Sequence, residues 1–452
     1  MARKPFDPSE LVPIGNYPSL FGGRPGAPRY DRPVSPRENI KLYFERKKPY
    51  WIPVMGMMGE VLGFRPRMHP DNVATHLVVD GEGPMEYAPG NVQEGWFGLM
   101  WQFVPLVNGA TVRPGAPTVP DMARWEEYVH IPDLDEMDWE RSAEANRAWF
   151  AASDQFHEVC CLSGLWERLI SLCDVEGAAV ALIDEDQKEG VHRFFSALCD
   201  MYEDMIARYA RYFDLDMLLM HDDWGTQNAP FFSLDTCREM IVPYLKRIVD
   251  ACHRNGLRFE LHCCGQVEAL VPAMIEAGAD IWCGQTLNDY VRLSGLYPDT
   301  CLTFGMTLPA PAEDATEEEL RTAARDFVEL CKDRRLVLNG ATDPRLQALV
   351  YEESRKYYAQ FDDGNTAKEE SKNRIREEEH RERHTQQGHK QTHTTGLYAD
   401  RGFQHGHGLH ESVHDRLPDD RRRHRVHGAG HCQDHRPGLQ RSRGPDHGKG
   451  PL

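Results

Sequence analysis

The chain's 452 residues suffice for one large α/β barrel of about 250 to 400 residues or for two ordinary domains. Its 71 Asp and Glu against 52 Lys and Arg give a formal charge of −19, which opposes broad contact with a phosphate backbone and argues against nucleic acid as a partner. No stretch approaches the roughly 20 apolar residues of a membrane span, the start MARKPFDPSELVPIGNYPSL has no apolar run after its basic beginning, and the twelve cysteines lack disulfide-framework spacing, so the expectation is a cytoplasmic protein with free or metal-bound thiols.

Residues 1–34 read as an N-terminal extension. A strand is expected in YWIPVM (50 to 55), followed over 65 to 135 by hairpins or loops that include the aromatic stretch GWFGLMWQFVP (95 to 105). EVCCLSG (158 to 164) is strand-like, and long helices are expected around 165 to 173 and 191 to 212. From Asp214 to Leu338 strand-like runs alternate with amphipathic helices as in βα units, the strands being MLLM (217 to 220), RFELH (258 to 262), DIWC (280 to 283), CLTFG (301 to 305) and RLVLN (335 to 339).

Between the first two of these strands, Ser233 is the expected N-cap of a helix whose stripe is Met240, Ile241, Tyr244, Leu245, Ile248, Val249 and Cys252, with Gly256 past its end. The next helix carries Val267, Leu270, Val271, Met274 and Ile275 and stops at Gly278. A capping box, Thr316 to Glu319, opens a further helix that turns Leu320, Ala324, Phe327, Val328 and Cys331 inward. Short returns between strand and helix favour parallel neighbouring strands, and the fold class expected is α/β, a distorted (β/α)8 TIM barrel with an N-terminal insertion.

From Asp362 to Leu452 almost no Ile, Val, Leu or Phe occurs, so this stretch cannot build a core. It holds 13 of the 21 histidines without the fixed spacing of a structural metal site. The expectation is a disordered His/Arg-rich tail, of the kind that a frameshift or read-through in GC-rich DNA produces; metal storage is the other reading.

Chemistry in a parallel barrel gathers at the carboxyl ends of the strands. RFELH runs into CCG, and the two-residue period of a strand turns His262 and Cys264 to one side and Cys263 to the other, which suits two ligands of one metal. A hydrogen-bonded histidine beside buried thiols is the competing reading. Asp222 and Asp223 follow MLLM in HDDWGTQ, and either can act as acid or metal ligand or tie down the loop. After DIWC, Cys283, Gln285 and Asn288 fall near the same opening, where Gln285 either meets a substrate oxygen or holds the turn. Met55, Met57 and Met58, with Trp96, Phe97 and Trp101, either line an apolar pocket or belong to the core.

HDDWGTQ, the helix segment FFSLDTCREMIVPYLKRIVDACHRNGLRFELHCCG and VPAMIEAGADIWCGQ, in that order, resemble the uroporphyrinogen decarboxylase superfamily over about residues 35–361. The resemblance implies the distorted (β/α)8 barrel and one of two activities, tetrapyrrole decarboxylation or cobalamin-dependent methyl transfer. The decarboxylases are expected to carry an arginine-rich grip near the amino terminus, yet PYWIPVMGMMGEVLG contains no arginine. The methyltransferase branch has a zinc site beginning with HxC, which maps onto His262 and Cys264. Its further cysteine, expected near the end of the last strand, is absent from RRLVLNGATDPRL, so the third ligand falls to Cys283, Asp223 or Asp343.

The resemblance thus implies Zn2+, a corrinoid (cobalamin) carried on a partner protein, and a small methyl donor or thiol acceptor, with methoxylated aromatics as one substrate class. Asp223 and Asp222 are the catalytic candidates; Gln285, Asn288, Trp96 and Met57 are the substrate-binding ones. The alternatives are a metal-free decarboxylase-like enzyme, in which one of the two aspartates does proton work, and a non-catalytic corrinoid- or tetrapyrrole-binding protein.

Overall fold

The computed structural model describes residues 3–18, 25–56, 59–64, 92–94, 96–104, 109–112, 115, 117–161 and 163–361. Met57, Met58 and the stretch 362–452 lie outside them. Eight parallel strands form one sheet: β1 Val54–Met55, β2 Val61–Phe64, β3 Phe156–Cys161, β4 Met217–His221, β5 Arg258–Cys263, β6 Ile281–Gly284, β7 Thr303–Met306 and β8 Leu336–Asn339. Their order is β1-β8-β7-β6-β5-β4-β3-β2, so the last strand returns to the first and the barrel is closed but for one seam between β1 and β2. No helix among the described residues is long and apolar enough to cross a membrane.

At the seam a side chain takes the place of a ladder. The Glu60 N–H donates to the Val54 carbonyl at 2.8 Å, the Val54 N–H donates to the Glu60 carboxylate at 3.2 Å, and the Trp51 indole donates to the same carboxylate at 2.7 Å. Burial pushes the Glu60 pKa up against the pull of Arg32, with which it forms an ion pair. The Arg32 guanidinium in turn lies 3.9 Å from the Tyr351 ring centroid and 4.7 Å from that of Tyr30, so the N-terminal extension is packed onto the barrel wall.

Strand alternation divides the apolar residues into two clusters. Met55, Val61, Phe156, Met217, Ile281, Cys283 and Val337 pack together inside the barrel, joined by Ile40 and Phe44 of helix α1 (Pro36–Phe44). That helix opens on a Ser35–Glu38 capping box and closes the amino end, the Phe44 ring lying 6.0 Å from Phe156. Leu218, Met220, Leu261, Trp282, Phe304, Leu336 and Leu338 face the surrounding helices.

The helix expected after Ser233 is two helices, Leu234–Met240 and Val242–Arg254, with Ser233 capping the first through a 3.0 Å bond from the Thr236 N–H. Pro243 accounts for the break, since it lacks the N–H that a continuous helix would need there. Gly256 and Gly278 end their helices with φ of +78° and +86°, and the Thr316–Glu319 capping box opens the helix Glu317–Cys331. Within the insertion, Val92–Glu94, Met100–Val104 and Gly109–Val112 form an antiparallel sheet, and Trp96, Phe97 and Trp101 are buried in the outer core.

Candidate metal centre

At the carboxyl ends of β4 and β5 the ligand atoms of Asp223, His262 and Cys264 lie within 4.8 Å of one another, and all three residues are half-buried. The His262 Nε2 is 3.2 Å from the Cys264 Sγ. The Cys264 N–H donates to the Asp223 carboxylate at 2.7 Å, which binds the two loops together within the trio itself. Cys263 points the other way, is fully buried, and accepts the Trp224 N–H at 3.3 Å.

Glycine sets how closely the loops approach. Gly265 has φ +94°, and a Cβ there would fall 2.4 Å from the Gly225 backbone. The Gln266 N–H donates across the same contact to the Thr226 carbonyl at 2.8 Å.

Electrostatics around the trio are anionic. Burial pushes the Cys264 thiol up, and the charges of Asp223 and Glu167 push it further. Burial lowers the His262 pKa, against the pull of Asp223, so the imidazole is neutral and offers a lone pair. One rung below, Glu158 and Glu260 lie buried inside the barrel; burial and their mutual proximity raise Glu158 well above the ordinary range, and burial raises Glu260. A neutral imidazole, a thiol and a carboxylate converging on one point form a donor set of nitrogen, sulfur and oxygen that fits a zinc ion with a fourth position left over.

The structure places the remaining candidates as follows. Asp222 is fully buried; it accepts the Glu167 N–H and the Trp224 indole, each at 2.8 Å, and burial raises its pKa to about 6. Cys283 stands opposite His262 in the β5–β6 register but apart from the trio, its sulfur filling the space over Gly305, where a Cβ would lie 2.2 Å away. Asp343 caps the helix Pro344–Tyr358 and pairs with Arg345. Asn288 is buried and spends its amide on the Val267 N–H and the Gly265 and Gln285 carbonyls. Gln285 accepts the Gly265 N–H at 3.1 Å and the Gln227 amide at 3.4 Å, so it joins the three loops at the barrel mouth. Trp96 lies in the outer core, and Met57 is outside the described residues.

Four residues near the trio escaped the sequence reading. Glu167 lies in the first turn of the helix Leu165–Ala181 and accepts the Asp223 N–H at 3.3 Å. His221 ends β4 beside His262. Glu158 and Glu260 are interior by the same two-residue alternation that singled out His262, and a glutamate in each strand-like run was the available signal.

Residues 185–340 match the model of the family described as uroporphyrinogen decarboxylase (URO-D), a shorter stretch than the expected 35–361. No curated protein matches the chain. Among solved structures, the chain is similar to a methyltransferase from Methanosarcina mazei at 12% identity and a TM-score of 0.47, over 72% of this chain and 99% of that one. It is also similar to a B12-independent methionine synthase from Shewanella sp. W3-18-1, at 12% identity and a TM-score of 0.30, over 48% of this chain and 65% of that one. The segment that matches the family model runs from the start of the helix Glu185–Tyr212 through β8, and so carries Asp223, His262 and Cys264 together.

Proposed function

We propose that the chain is a zinc-dependent methyltransferase that moves a methyl group between a small methylated substrate or a thiol and a corrinoid carried on another protein. The observation that carries this reading is the convergence of Asp223, His262 and Cys264 at the mouth of a barrel whose matching segment is URO-D-like. The cytoplasm is the compartment that suits such thiols.

Asp223 is the proposed third ligand. It comes from the neighbouring strand end and stands in for the cysteine that the family pattern places on the last strand. Zinc, when bound, would act as a Lewis acid toward a thiol or a methyl-ether oxygen. The chain's own groups prepare for that: the neutral His262 needs no proton removed, Asp223 holds the Cys264 backbone, and Glu167 fixes Asp223 through its N–H. Gln285, which joins the mouth loops, is the proposed contact for the substrate's polar end.

The test is zinc per chain in the full-length protein, with His262→Ala and Cys264→Ala beside it so that zinc held by the histidine-rich tail subtracts out. A difference of about one zinc in both variants supports the reading, and transfer of methyl from methoxylated aromatics or to thiols with added corrinoid follows as the activity assay. Equal zinc in parent and variants overturns it and returns the chain to the decarboxylase-like alternative.

A further inference from the structure

The orientation of His262 needs an explanation of its own. An imidazole turns broadly about its second side-chain torsion, so the strand backbone alone does not decide which nitrogen faces Cys264. Metal-ligating histidines are ordinarily fixed by a neighbouring group beyond the ligands.

In the parallel register of β4 and β5, His221 stands directly opposite His262, which puts both side chains on the inner face. Their ring centroids are 4.3 Å apart, with the planes at 38°. His221 is itself held at two points: its carbonyl accepts the Gly164 N–H at 2.6 Å, and the next residue, Asp222, donates its N–H to the His262 carbonyl at 2.9 Å. The Asp222 carboxylate then accepts the Glu167 N–H, so the position of His221 is set by three strand ends.

Resting on the zinc reading above, we propose that His221 is the positioning residue of the centre: its ring packs on His262 and holds Nε2 toward Cys264, where the ion would sit. The role needs a flat ring at position 221 and no proton transfer. Accordingly, His221→Phe retains it and His221→Ala does not.

The experiment uses the metal-free full-length chain as parent, His221→Ala, His221→Phe and Cys264→Ala. Zn2+ is titrated in competition with a chromophoric chelator, and Co2+ is added separately to record the thiolate-to-cobalt charge-transfer and d–d absorption. Cys264→Ala subtracts every signal from outside the centre. The expected result is about tenfold weaker Zn2+ binding and an altered cobalt spectrum in His221→Ala, with His221→Phe close to the parent in both. Parent-like affinity and spectrum in His221→Ala overturn the proposal while leaving the zinc reading intact. Equal losses in the Ala and Phe variants also overturn it, because they place the effect in the imidazole nitrogens. A parent indistinguishable from Cys264→Ala in both titrations fails the zinc reading, and the proposal with it. Should His221→Ala not fold, His221→Leu, which fills the space without a flat ring, takes its place: weaker Zn2+ binding is expected of it, and parent-like binding overturns the proposal.

Discussion

At the amino end of the barrel, Arg37 pairs with Asp214 and Asp216 at 2.7 Å each, Lys41 adds to Asp216 at 2.8 Å, and Asp280 receives Arg258 at 3.0 Å and His253 at 2.7 Å. At the carboxyl end, the charges that act on His262 and Cys264 are those of Asp223 and Glu167, and below them, inside the barrel, Glu158 and Glu260 lie against each other. The same eight strands therefore carry carboxylates matched to cations at one end and carboxylates gathered with a thiol and a neutral imidazole at the other. Carboxylates matched to cations at the amino end hold the fold, while those gathered around the trio leave a charge that an incoming cation would settle.

The comparison breaks first where effects are largest. His262→Ala or Cys264→Ala should lower methyl transfer by at least about 100-fold, more than a change outside the ligands, while thermal unfolding of the metal-free protein stays near the parent's. Parallel loss of stability would show that the carboxyl end also holds the fold. Arg37→Ala should do the reverse, costing about 1–3 kcal/mol in denaturant unfolding at pH 7 with zinc content unchanged, because Asp216 is buried and would keep Lys41 and the His157 N–H but lose its closest cation. Arg37 holds the Asp214 carboxyl below the usual carboxylate range. That contribution is present above the unfolded value near 3.9 and is lost as pH falls through the folded one, so the deficit of Arg37→Ala should shrink below about pH 4.

Glu158→Gln gives the smallest and sharpest contrast. Burial raises the folded pKa of Glu158, so its proton is retained in the folded state after the unfolded chain has lost it near pH 4.3. Stability tied to that proton is complete below this pH and declines as pH rises toward the folded value. Replacing Glu158 by Gln should therefore raise unfolding free energy at pH 8 relative to pH 5 by about 1 kcal/mol or more, read from denaturant midpoints at the two pH values. A variant whose stability follows the parent's at both would mean that the interior carboxyls are not under strain.

How much of this the sequence disclosed depended on whether the cause was local. The strands from 217 to 339, the Ser233 cap, the Gly256 and Gly278 stops and the Thr316 box all rest on neighbours within a few residues, and all are present. HxC is local too, and His262 and Cys264 do lie together. Strand β2, Val61–Phe64, was missed because it follows β1 after five residues, too few for a connecting helix, which no βα pattern anticipates. Choosing among Asp223, Cys283 and Asp343 required the lateral register of β4, β5 and β6 and the Gly225–Gly265 contact, neither of which is written in any one segment. His221 went unremarked because its significance comes from the residue opposite it on the next strand.

The Glu60 seam has a consequence for anyone who would shorten the chain. The barrel closes on a keystone carboxylate and a single backbone bond rather than on a strand ladder, and the keystone's counter-charge, Arg32, belongs to the extension ahead of Ser35. A protein begun at residue 35 would keep every barrel strand and every candidate ligand, yet would leave a buried acid in the wall without its counter-charge and loosen the barrel along its seam.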